Sequence, residues 1–144
     1  MSNLSFSELI RREEELLKRL LLVSHRQLEL VQAGNGTVLI QHLGKRQQLW
    51  NEFERLEEQL APHKGIPPER RVWKSAEERN LTEAALNRCK TLLEQIMAND
   101  KISLEKTAEQ KDKAEKDLRR IQAGKPGAIA YLKQSRLGDD STPK

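Results

Sequence analysis

The sequence predicts an all-α protein: an elongated antiparallel helical bundle, or coiled coil, of three long helices, the third the longest. Three observations carry this. The composition is 33% charged and only 3% aromatic, dominated by Leu, Glu, Lys, Arg, Gln and Ala, the usage of long helices. Mean hydropathy is −0.78, yet the leucines recur at steps of three and four rather than being missing, which separates the chain from disorder. Finally, stretches rich in Gly or Pro stand between the leucine repeats at three places: Gly34-Asn35-Gly36, Pro62 to Pro68, and Gly124 to Gly127.

Those breaks place helices at about 5–33, 37–61 and 75–122, in one domain over 1–133 followed by a disordered tail, 134–144. In the first helix, Ser5 and Glu8 form a capping box, the hydroxyl accepting from an otherwise orphaned amide while the carboxylate reaches back. Its apolar residues come in adjacent pairs, Leu9/Ile10, Leu16/Leu17 and Leu20/Leu21, then Leu28 and Leu30/Val31. A stripe that wide calls for two neighbouring helices. Gly34-Asn35-Gly36 then makes a helix–helix turn, with Thr37 placed to cap the second helix.

The second helix carries Leu39, Leu43, Trp50, Phe53, Leu56 and Leu60 and ends at Pro62, since proline disfavours helical geometry in the residue before it. Val72 and Trp73 follow the proline-rich segment and read as a plug folded over the bundle end. Ser75 with Glu78 opens the third helix. Leu86, Cys89, Leu93, Ile96, Leu104, Thr107, Ala114, Leu118 and Ile121 form its seam, and Gly124 stands where a C-cap glycine belongs. After Lys125-Pro126-Gly127 comes a short apolar segment, Ala128 to Leu132.

Helix lengths raise a question of cover. At 1.5 Å per residue the three span roughly 43, 36 and 70 Å, so the first two cannot cover all of the third. The third helix either bends near Asn99-Asp100, pairs its distal half with a second chain in a homodimer, or keeps that half open for a partner helix. The distal seam is the weaker one, with Leu104, Ala108, Ala114, Leu118 and Ile121 diluted by Thr107 and Lys111. Such a stripe suits reversible helix-in-groove binding. Together with Ile129, Tyr131 and Leu132 of the terminal patch, it is the candidate partner-binding surface.

Catalytic and ligand constellations are missing. His25, His42 and His63 stand apart and none is at i,i+4 from another His or Cys, so no metal site is expected. Cys89 is the only cysteine; it rules out an internal disulfide and reads as a small buried apolar residue. There is no phosphate loop or dinucleotide fingerprint, so no cofactor is expected, and the acidic residues read as solvent-facing neighbours of basic ones: Glu14–Lys18, Glu15–Arg19, Glu109–Lys113, Asp112–Lys116 and Glu115–Arg119 at i,i+4. An enzyme is not expected. Lys101 to Lys125 holds eight basic and five acidic residues, and no aromatic lies between Trp73 and Tyr131. The stripe of one sign and the stacking rings of a nucleic-acid surface are therefore both lacking. The start of the chain shows no secretion signal, and Leu20 to Val23 is too short to span a bilayer, so a cytoplasmic location and no membrane partner are expected.

The stretch LLVSHRQLELVQAGN, Leu21 to Asn35, resembles the flagellar type III secretion export chaperones (FlgN-type), the class that escorts hook-associated proteins. A leucine-rich helix reaches an Ala-Gly-Asn break, and a second helix bears Lys45-Arg46-Gln47 before Leu49. The resemblance continues through Leu92, Leu93 and Ile96 to Ala130-Tyr131 and covers about Leu9 to Leu132. It implies a small cytosolic all-α chaperone that binds the terminal amphipathic helix of hook-associated proteins, prevents premature assembly and delivers them to the export apparatus. By that resemblance Leu104, Leu118 and Ile121 belong to the client-binding helix, and Tyr131 would be offered to an export-gate component. The alternatives are a structural coiled-coil dimer or assembly subunit without a client and, behind it, a nucleic-acid-binding helical protein.

Overall fold

A computed structural model describes residues 4–123. Contacts divide the chain into two compact units, Met1–Leu104 and Glu105–Lys144. The described residues form three α-helices, α1 (Phe6–Ala33), α2 (Gly36–Lys64) and α3 (Ala76–Ala123), with a short 3₁₀ turn at Pro68–Arg70. No strand occurs among them, and the all-α expectation holds. The helix is continuous through Asn99 and Asp100. Gly124, the apolar segment Ala128 to Leu132, and the tail 134–144 lie outside the described residues, as does the end of the domain expected over 1–133.

In the first unit the three helices run up, down and up. α1 and α2 are joined by only two residues, and His63 near the end of α2 packs on Phe6 at the start of α1, so the two run antiparallel, with His42 and Arg46 also meeting Val23 and Gln27. Thr82, Arg88 and Asn99 of α3 meet Ser7, Glu14 and Ser24 of α1, a parallel pairing. α1 is therefore the helix packed on both sides, as its doubled apolar stripe requires. It supplies Phe6, Leu9, Ile10, Leu16, Leu17 and Leu20 to a core completed by Leu60 of α2 and Ala85, Cys89 and Ile96 of α3. Trp50, Phe53 and Leu56 pack half-buried against it. The α2 stripe fades toward its N-terminus: Leu60 is fully buried while Leu43 is exposed.

Local chemistry fixes the helix ends. The Ser5 hydroxyl accepts from the Glu8 amide at 3.2 Å and the Ser75 hydroxyl from the Glu78 amide at 3.0 Å. Each relieves one unpaired N–H of a first turn. α1 stops in a Schellman turn: Gly34, at φ 69°, donates to the Val31 carbonyl and Asn35 to the Leu30 carbonyl, each at 3.1 Å. Two expected boundaries move. Asn35, not Thr37, caps α2, its side-chain oxygen accepting from the Val38 amide at 3.3 Å. Pro62 does not end α2, which runs on to Lys64. A proline this close to a C-terminus removes one helical hydrogen bond, to the Glu58 carbonyl on an exposed residue, and the Gly65 amide still closes the last turn on Ala61 at 3.3 Å.

The segment between α2 and α3 crosses the end of the bundle where α1 begins. Phe6 is gripped there by three groups: the Arg71 guanidinium 4.3 Å above its ring, His63 at 5.7 Å, and Trp73 edge-on at 6.1 Å. Trp73 is thus the expected plug. Val72 is not: it is 95% exposed, because adjacent residues in extended backbone point to opposite sides.

Candidate functional site

Along α3 the seam residues change character. Leu86 and Leu93 are half-buried and Cys89 and Ile96 buried in the core of the first unit. Leu104, the last residue of that unit, is 72% exposed. In the second unit Ala108, Ala114 and Leu118 are exposed and Ile121 is half-buried. The other three members of the candidate surface, Ile129, Tyr131 and Leu132, lie outside the described residues.

Charge around the distal residues is locally balanced. Lys106 pairs with Glu109 at 3.6 Å, Lys116 with Asp112 at 3.1 Å, Arg119 with Glu115 at 3.9 Å and Arg120 with Asp117 at 3.8 Å. Two of these are the expected i,i+4 pairs, whereas Glu109 takes Lys106 in place of Lys113. Exposed pairs of this kind contribute little stability. On α1, Glu15 likewise takes Lys18, at 3.1 Å, rather than Arg19.

Asn99 and Asp100, read from the sequence as a place where the seam breaks, instead build a polar tier across all three helices. Ser24 donates to the Leu21 carbonyl at 2.8 Å and accepts from the Asn99 amide group at 2.9 Å; that same group reaches the His25 Nδ1 at 3.2 Å. His42 Nε2 meets the Val23 carbonyl at 2.8 Å. Arg46 forks onto Asp100, Nη1 to Oδ1 at 2.6 Å and Nη2 to Oδ2 at 2.5 Å, and also donates to Gln27 at 2.8 Å. Its guanidinium lies 5.7 Å from the Trp50 ring centroid. Charged groups that find this many partners do not need to leave the helix.

Not every acidic residue faces solvent. Glu13 and Glu14 are each 7% exposed. Position 13 lies three and four residues from Ile10, Leu9, Leu16 and Leu17, so the doubled stripe itself carries it inward; that spacing was the available signal. Glu14 accepts from Arg88 of α3 at 2.6 and 3.1 Å, while Lys18 stands 3.9 Å away. Arg88 holds the Glu14 carboxyl below the usual carboxylate range against the opposing effect of burial. Glu13 has no basic residue of that kind. It shares a hydrogen bond with Glu57 of α2; burial first, then that bond and the Glu57 charge, push its carboxyl up to about 8, with Lys64 acting the other way. Burial also acts against ionisation of Glu57, yet the Glu13 hydrogen bond and Lys64, 2.8 Å away, hold it below the usual range. The two carboxyls therefore titrate as a pair, with the more buried Glu13 the one that holds its proton longer.

Cys89 lies in the core with its thiol 4.0 Å from the Ile10 carbonyl. Burial, reinforced by Glu13 and Glu14, pushes it up to about 12, far from the thiolate that reactivity needs. Among the described residues no three His, Cys, Asp or Glu side chains are grouped to hold a metal ion, and no helix is long and apolar enough to cross a membrane. No family model matches the chain, and no curated protein or solved structure matches it significantly.

Proposed function

We propose that the protein is a non-enzymatic export chaperone of the flagellar type III kind, acting in the cytoplasm, whose distal α3 residues engage the terminal amphipathic helix of a hook-associated client. One observation carries the reading: the seam of α3 is buried or half-buried from Leu86 to Ile96, while Leu104, Ala108, Ala114 and Leu118 are exposed. Apolar residues repeating at helical spacing and left in water gain free energy when a partner helix covers them. The balanced ion pairs beside them favour a helix over nucleic acid, because Lys106, Lys116, Arg119 and Arg120 each already have an acidic neighbour.

The test combines light scattering over a concentration series with titration of a peptide carrying the terminal helix of a hook-associated protein. Wild type and a Leu104/Leu118/Ile121→Ser chain are compared. The reading expects a monomer that binds the peptide and a folded variant that binds it at least tenfold more weakly. A wild-type dimer that the variant dissociates would replace the chaperone reading with the structural coiled-coil one.

A further inference from the structure

The Glu13–Glu57 pair has no part in the proposed partner surface, and its position is unusual. Both residues line a cleft of about 390 Å³ shared by all three helices. α1 contributes Glu13 and Leu17; α2 contributes Phe53, Glu57 and Lys64; α3 contributes Leu86, Cys89, Lys90 and Leu93. The charged and titratable groups facing Glu13 are therefore Glu57 and Lys64 from α2 and Cys89 and Lys90 from α3, with Glu14 next to it on α1 already committed to Arg88. The Lys64 ammonium is drawn to Glu57 at 2.8 Å. Glu13 is buried while the Glu57 side chain stays 34% exposed; two such facing carboxyls attract while one holds a proton and repel once both are ionised.

We propose that Glu13 and Glu57 form a proton-dependent latch between α1 and α2, closed while they share one proton and released as rising pH removes it. The released end is the one carrying Phe6, His63, Arg71 and Trp73, since Lys64 sits at the end of α2 next to His63. The direction follows from proton counting. Above the ordinary glutamate value of 4.5 and below about 8, the folded chain keeps a proton that the unfolded chain has lost. Stability contributed by the latch is full below that window and lost as pH rises through it.

Urea unfolding of the full chain between about pH 5.5 and 9, with Glu13→Gln alongside, tests the latch. The glutamine amide can still donate to Glu57 but has no proton to lose. The wild-type unfolding constant is expected to rise roughly tenfold per pH unit relative to that of Glu13→Gln, the value for one proton, and to level off above about pH 8. Taking the ratio removes every group the two chains share. Parallel pH profiles would overturn the proposal. Should Glu13→Gln not fold, infrared spectroscopy of the wild type decides: a protonated carboxyl stretch at about pH 6.5 that disappears near pH 9 supports the latch, and no such band refutes it.

Discussion

Removing the Asp100 carboxylate tests whether the polar tier holds the three helices together or merely decorates them. In Asp100→Ala, Arg46 keeps Gln27 and the Trp50 face but loses both short hydrogen bonds. The two side chains are 16% and 28% exposed. That places the pair between a solvated ion pair, which contributes about 0–1 kcal/mol, and a fully buried one, where losing a partner costs about 3–5 kcal/mol. Water reaching the orphaned guanidinium brings the expected cost to about 2 kcal/mol. This is a factor of roughly 30 in the unfolding equilibrium. Urea denaturation followed by helical circular dichroism measures it, with an unchanged slope confirming the same two states. Arg46→Ala and the double variant complete a cycle, and the coupling should be at least about 1 kcal/mol. A loss below about 0.5 kcal/mol in Asp100→Ala, or a coupling of zero, would mean that solvent already does the work of Asp100.

The core, turn and plug give three further expectations. Leu17→Ala empties a buried position of α1 and should lower stability by about 3 kcal/mol, while Leu22→Ala, on an exposed position of the same helix, should stay within about 0.5 kcal/mol by the same assay. Gly34→Ala meets no neighbouring atom within 4 Å but must hold a left-handed backbone, so thermal unfolding should report a loss of about 1 kcal/mol. Trp73→Ala should cost about 2 kcal/mol or more by removing the edge-on partner of Phe6 and weakening tryptophan fluorescence from the bundle end, whereas Val72→Ala should have almost no effect.

Much of this arrangement can be read from periodicity and punctuation. Ser5, Ser75 and Gly34 announce helix ends because their chemistry is local and needs only the next few residues. The doubled stripe of α1 announces two neighbours for the same reason. What sequence reasoning misses depends on contacts distant in the chain. Asn99 and Asp100 interrupt an apolar repeat, and only the arrival of Ser24 from α1 and Arg46 from α2 turns that interruption into a junction. Glu13 reads as one charge in a run of three, Glu13-Glu14-Glu15, until α2 brings Glu57 against it. Thr37 reads as the cap of α2, but the tight turn at Gly34 starts that helix earlier and gives the place to Asn35. For the distal α3 residues the sequence shows a diluted stripe, and the structure leaves Leu104 and Leu118 exposed.

The tier at Ser24, Arg46 and Asn99-Asp100 also bears on how the helices choose their alignment. Leucines repeating every three or four residues pack nearly as well after a slide of one heptad, so an apolar seam alone tolerates several vertical registers. Sliding α3 against its neighbours by seven residues would bring Leu92 and Leu93 to the level of Ser24 and Arg46, stranding a half-buried guanidinium among hydrocarbon. The register in which Arg46 finds Asp100 is then separated from its competitors by the cost of that stranded charge. Replacing both residues by leucine should leave the chain helical but broaden its amide NMR spectrum, as several alignments become nearly equal in energy.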